Sequence, residues 1–259
     1  MALFTDPDVV ALDDLLAFES SLLQVSTTHG IDVETKIALA TSGIGDKVML
    51  WLLNSGASDP QYLYRRTFSL STVVVTPTLY RWICFDSLSR VFAEAYNVQL
   101  NTRFQGKWTE YKQESQVAAD MVFMSGIGIV YDPLPKPAMA SLQTTPGNNM
   151  PESIFVQTTW VDCKGNESAA SPITGELLIP FSGLLVGPVS QGAKVPSSAV
   201  AWNVYANVAN GKLQLQNANP IPLGSAWQMP NEGLVNGRVA PSGQIPDLYV
   251  ALTRRVQRG

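Results

Sequence analysis

The periodicity of the chain changes near residue 145, and that change limits what it can fold into. Before this point apolar residues recur every three or four positions over long segments. After it, short β-type runs are separated by Gly, Pro, Asn and Ser. The first pattern needs a helix against a core, the second a half-buried strand, and no single element satisfies both. The 259 residues therefore divide into two ordinary domains. The expected fold class is α+β multidomain: an N-terminal α-helical bundle over residues 1–130, a proline-rich linker over 131–150, and a C-terminal antiparallel β-sandwich over 151–259.

In the first half, Asp6-Pro7-Asp8 reads as a helix opening, with Asp6 as N-cap and Pro7 in the first turn. Val9, Leu12, Leu15, Leu16, Leu22 and Leu23 mark one face, with Asp13, Asp14 and Glu19 off it, and Gly30 supplies a left-handed stop. A second helix starts at Asp32 and is expected to be interrupted by Gly43 to Gly45, with a third from Asp46 to Leu53. Phe68 to Val75 is β-branched and reads as extended or as a long connection. Thr76-Pro77 opens the longest helix. From Leu79 to Gln105 there is neither Pro nor Gly, and Leu79, Trp82, Phe85, Leu88, Phe92, Ala95, Tyr96 and Phe104 form a broad buried stripe. Gly106 is expected to kink it before the pattern resumes to Gly126. An aromatic stripe at this spacing is read as core.

Asp132-Pro133-Leu134-Pro135-Lys136-Pro137 cannot be helical and favours a stiff extended path, hence the linker. Beyond it, strands are expected near 153–162, 175–180, 199–207, 212–217, 225–229 and 247–256, with turns at Lys164-Gly165-Asn166 and Asn210-Gly211 among others. Trp160 and Trp202 alternate with polar neighbours and are expected to fill the space between two sheets.

Composition narrows the function. Charged residues make up 15% of the chain, against about 25% in an average domain. Such a surface is either polar and uncharged or covered by partner subunits, since interface cores are depleted in charge. The net charge of −4 and the shortness of the basic pairs Arg65-Arg66 and Arg254-Arg255 argue against nucleic-acid binding. Cys84 and Cys163 read as free thiols of a reducing compartment. The opening residues lack a basic and apolar leader, and no run is long enough to span a membrane, so a cytoplasmic protein is expected.

Chemistry-bearing patterns are scarce. His29 is the single histidine and sits at a helix end, where it reads as a capping residue. No His, Cys and carboxylate spacing suits a metal. Gly126-Ile127-Gly128 lacks the third glycine and following helix of a phosphate loop. Glu94, Glu110, Glu114 and Asp120 could in principle supply a glycosidase pair. Beside Arg90, Lys107 and Lys112 they read better as solvated helix faces. The expectation is no cofactor, no metal and no catalytic activity.

Three stretches carry a family resemblance. Thr159-Trp160-Val161-Asp162 with Gly165-Asn166-Glu167-Ser168 and Ser171-Pro172 resembles the fibronectin-type-III-like or immunoglobulin-like modules of tailed-phage structural proteins. Ala201-Trp202-Asn203-Val204-Tyr205 followed by Gly211, Leu215-Gln216-Asn217 and Pro220-Ile221-Pro222-Leu223-Gly224 is similar in the same way. Tyr96 to Trp108, with Gly126-Ile127-Gly128-Ile129-Val130, resembles helical neck proteins of phages. The resemblance implies a head-to-tail connector or adaptor, forming a homo-oligomeric ring, a dodecamer, below the portal. Its partners would be the portal protein and tail or nozzle proteins, with DNA only as passing cargo and no membrane. It would be assembled in the bacterial host cytoplasm and reside in the virion neck. The alternative is a tail-associated carbohydrate- or receptor-binding module, for which Trp227 or Tyr249 would be exposed. At the C-terminal end, the apolar part of the segment from Leu248 to Arg258 is expected to complete the sandwich as its last strand. Tyr249, Arg254, Arg255 and Arg258 are then candidate partner-binding residues, because the planar guanidinium pairs bidentately with a neighbour's carboxylates.

Overall fold

The computed structural model describes residues 1–56, 69–99, 102–189, 192–208 and 211–251. Among the described residues five α-helices come first: α1 (Leu12–Phe18), α2 (Leu22–His29), α3 (Val33–Gly56), α4 (Pro77–Gln99) and α5 (Thr102–Ser125). Ten strands follow among the described residues: β1 (Ile127–Ile129), β2 (Ser141–Asn149), β3 (Glu152–Val161), β4 (Thr174–Leu178), β5 (Ser182–Gly187), β6 (Ala201–Val208), β7 (Gln214–Leu215), β8 (Ile221–Pro222), β9 (Trp227–Gln228) and β10 (Leu248–Val250). The class is α+β, helices first and antiparallel sheets after. The chain forms two compact units. A helical unit takes Pro7–Ile129 and the segment from Pro246, and a β unit takes Val130–Ile245 and the first six residues.

In the helical unit, the N-terminal helix opens later than expected and is broken. Asp6 is not its N-cap. Asp6 is buried in the β unit, where its carboxylate accepts from the Leu3 amide at 2.7 Å and the Lys136 amide at 2.8 Å. Helix α1 starts at Leu12 and stops at Phe18, because Glu19 turns its carboxylate onto the Ser21 amide and hydroxyl and pulls the chain out of helical geometry. Gly30 then closes α2 in the left-handed region, at φ 64°. Asp32 caps α3 through the Thr35 amide and hydroxyl. Contrary to the sequence expectation, α3 runs unbroken through Gly43 and Gly45. Ile44, Val48 and Leu52 are buried on one face, and that burial outweighs the roughly 1 kcal/mol a helical glycine costs.

The longest predicted helix is two helices. Helix α4 is described to Gln99 and α5 from Thr102, residues 100–101 lying outside the described set, and Gly106 lies within α5 without ending it. Helices α4 and α5 run antiparallel. Tyr96 stacks on Trp108, Phe92 on Tyr111, and Trp82 meets Phe123 edge-on, with ring centroids 5.4 to 5.9 Å apart. The aromatic stripe is thus the seam between the helices: Leu79, Trp82, Leu88, Phe92, Ala95 and Phe104 are buried in it.

The β unit holds two open antiparallel sheets, one ordered β2-β5-β9 and one ordered β4-β3-β6-β7, with β8 also on β6. Ile154, Val156, Trp160, Leu178, Leu184, Val186, Trp202, Val204 and Trp227, drawn from both sheets, meet in one buried cluster. Trp160 and Trp202 stand opposite each other in the β3–β6 register, and the Trp202 indole N–H donates to the carbonyls of Pro222 and Ser225.

Two sequence expectations fail here. The proposed linker over 131–150 contains β2, which pairs with β5 from Ser141↔Gly187 to Pro146↔Ser182. The dense proline run ends at Pro137, and the single later Pro146 lies on β2, an edge strand, where Pro is tolerated. The C-terminal strand does not complete the β unit either. Residues Leu248–Val250 form β10, which pairs with β1 at Ile127↔Val250, Gly128↔Tyr249 and Ile129↔Leu248. Glycines at 126 and 128 permit it. A Cβ on Gly126 (φ 89°) would meet the Val250 carbonyl oxygen at 2.9 Å, and one on Gly128 would meet Pro246 Cγ at 2.8 Å.

Candidate interaction surfaces

The residues with chemical potential are mostly engaged in structure. His29 ends α2 with its ring edge-on to Phe104, 5.2 Å between centroids. Cys84 is buried, and burial pushes its thiol up to about 12, so it stays protonated and unreactive near neutrality. Glu94 pairs with Lys36, Glu110 with Lys107, and Asp120 accepts from the Gln116 amide. Among the described residues no group of His, Cys, Asp and Glu is placed to hold a metal ion, and no helix is long and apolar enough to cross a membrane.

Two carboxylates act as anchors. Glu19 is nearly buried. Burial alone would raise its pKa, but hydrogen bonds from Ser21, from the Tyr111 hydroxyl at 2.8 Å and from Lys107 at 3.1 Å outweigh that and hold it at about 2. Glu167 is the corresponding hydrogen-bond acceptor in the β unit. It accepts from Thr159 Oγ1 at 3.0 Å, from the Tyr205 hydroxyl at 2.6 Å and from Arg238. Burial and the Glu167 carboxylate hold the Tyr205 phenol above its ordinary value. Both arrangements clamp loops rather than open to solvent.

The predicted partner-binding residues divide. Tyr249 is exposed on β10, beside Gly128 of β1. Arg254, Arg255 and Arg258 lie outside the described residues, as do Arg65-Arg66 and Asn210. Trp227, a candidate for sugar contact, is buried in the two-sheet cluster and offers no face to a ligand.

Surface apolar residues missed in the sequence are more telling. In the β unit the β2–β3 turn carries Met150 and the β4–β5 turn carries Ile179-Pro180-Phe181. The Gly147 amide donates to the Phe181 carbonyl at 3.0 Å, and the registers Asn149↔Ser182 and Glu152↔Leu178 bring the two turns side by side. Met150 and Phe181 are each 80% exposed, and Leu177 and Ile179 about two-thirds exposed (66% and 64%). Phe181 is also left-handed, at φ 61°, a region that bulky side chains avoid. The sequence did contain a signal. No charged residue occurs between Lys136 and Glu152, nor between Glu176 and Lys194, and these are the tracts that pair as β2 and β5. In the helical unit, Val117, Met121 and Met124 form an exposed stripe on α5 at spacings of four and three. Periodicity counted these residues as core. The buried face of α5 instead runs through Phe104, Tyr111, Ser115, Ala118, Ala119 and Val122.

No protein-family model and no curated protein matches the chain.

Proposed function

We propose that this chain is a structural virion protein, the head-to-tail connector of a tailed bacteriophage. In this reading copies form a ring, a dodecamer, below the portal and join it to tail or nozzle proteins. DNA passes through as cargo, and the subunit is assembled in the host cytoplasm and catalyses nothing. The β unit is then a fibronectin-III- or immunoglobulin-like sandwich, for which the shared two-sheet core around Trp160 and Trp202 is the support. The observation that carries the assembly reading is that both compact units expose apolar side chains on a chain poor in charge: Met150, Leu177, Ile179 and Phe181 on one, Val117, Met121 and Met124 on the other. Apolar exposure of this kind marks contact surfaces, and a ring subunit needs two different ones. The carbohydrate-binding alternative loses Trp227, which is buried, and is left with Tyr249, which is exposed.

The test is mass in solution. Purified protein, alone and mixed with a phage portal ring, is measured by light scattering and viewed by electron microscopy. A closed ring, or a stoichiometric layer added to the portal, is expected. A monomer that stays monomeric at high concentration and leaves the portal unchanged overturns the reading.

A further inference from the structure

We propose that residues 252–258 act as a basic strap whose seat is the outer face of α5 in the same copy, the face that carries Val117, Met121 and Met124. The contact needs one copy only. The assembly reading above enters solely where the strap guards a surface that a neighbour would take.

The seat is apolar and acidic together. Asp120 stands three residues after Val117 and four before Met124, so it shares their face, and Glu114 borders it near the preceding turn. Both acids are exposed. Glu94 and Glu110 have lysine partners, but among the described residues neither Glu114 nor Asp120 pairs with a cation. Asp120 accepts from the neutral Gln116 amide at 2.9 Å. Helix α5 has no Lys or Arg after Lys112 and no basic residue in its last turn, where the helix dipole favours one.

Residues 252–259 lie outside the described set, and their composition is the complement of that face. Leu252 and Val256 are apolar, Arg254, Arg255 and Arg258 are basic, and there is no acid among them. The described chain delivers this segment to the end of α5, and both belong to the helical unit. Strand β10 is antiparallel to β1, with Val250 opposite Ile127. The Trp51 indole donates to the Val250 carbonyl at 3.4 Å, and the Ala251 nitrogen lies 3.2 Å from where a Gly126 Cβ would stand. The lengths then match. Arg254 is three residues beyond Ala251, a reach of at most about 10 Å, and Asp120 lies about 9 Å of helix axis before Gly126. Arg258 reaches at most about 24 Å, and Glu114 lies about 18 Å before Gly126. A strap running back along α5 therefore sets its arginines beside these two acids, where a planar guanidinium can pair bidentately. Leu252 and Val256 then lie over the apolar stripe, whose two methionines adapt their shape to what covers them. Tethering raises the effective concentration of the strap at its own helix, which favours the same copy over a neighbour. In a ring, a neighbour that takes the α5 stripe must first displace the strap.

The first test is tryptic loss of the strap, read by intact mass. Cleavage after Arg254 or Arg255 is expected to be about fivefold faster or more in Glu114→Gln/Asp120→Asn than in the parent, and about 1 M NaCl should abolish the difference by screening the pairs. Both substitutions fall on exposed side chains, so the melting temperature should not change. Equal cleavage rates at low salt overturn the proposal. In a Cys163→Ser background, Val117→Cys combined with Val256→Cys is then oxidised in dilute solution, and a disulfide within one chain is expected. A disulfide formed only between chains overturns the proposal, as does one that Val256→Cys forms with Leu50→Cys on α3 and not with Val117→Cys. Deleting residues 252–259 uncovers the stripe, so self-association read by light scattering should strengthen. Weakened self-association would place the strap between copies and overturn the proposal. A parent and a truncated chain that both stay monomeric at every concentration overturn the ring, while the cleavage rates and the cross-link decide the strap.

Discussion

Glu19 shows how a single side chain can tie helices together. Its carboxylate takes hydrogen bonds from Ser21, which ends the first helical run, and from Tyr111 and Lys107 on α5. The pKa is held at about 2, below its ordinary value of 4.5. A depressed acid stabilises the fold above its unfolded pKa. That contribution is complete above about pH 4.5 and is lost as pH falls towards 2. Glu19→Gln is therefore expected to cost on the order of 2 kcal/mol at neutral pH. Urea unfolding of parent and variant from pH 7 to pH 2 should show that difference shrinking and nearly vanishing at the acid end. A difference constant with pH would mean that the ionised carboxylate is not what matters. In the sequence Glu19 is an acid off the apolar face, and nothing local distinguishes it from Asp13. Its role depends on Tyr111, 92 residues away, so no window of sequence contains both.

Elements repeat the same lesson in backbone form. The apolar stripe of α4 is readable because helical spacing is a local property. The β1–β10 pair is not readable, because two three-residue strands far apart in sequence carry no periodic signal of their own. Gly126 and Gly128 were visible and looked like a failed phosphate loop. Their role is to let β10 approach: Val250 and Pro246 fill the space a Cβ would take, and the Val250 carbonyl accepts from the Trp51 indole at 3.4 Å. Gly126→Ala combines a strained φ of 89° with that clash, and is expected to destabilise the helical unit by about 2 kcal/mol. Amide exchange at Gly128 and Tyr249 should speed up, while exchange at Trp160 and Trp202 stays at the parental rate. Equal acceleration in both units would show that the pair has no local role.

The whole molecule is laced by its termini. The chain passes between the units after Asp6, after Ile129 and after Ile245, so each unit holds a piece from the far end of the sequence. A specific protease site placed at Ala138–Met139, both exposed and outside any strand, should cut cleanly. The fragments are expected to stay together on size exclusion in native buffer and to part only in denaturant. Fragments that separate freely would show that residues 1–6 and 248–250 contribute little. By itself the sequence determined that helices precede strands, that the aromatic stripe and the two tryptophans are interior, and that charge is scarce, because each follows from local spacing or composition. Only the tertiary structure decided that the supposed linker holds a strand, that the last strand belongs to the helical unit, and that Phe181 and Met124 face outward. Each of these is a pairing or burial choice between distant segments of similar local pattern, and local spacing carries no information about which distant partner is taken.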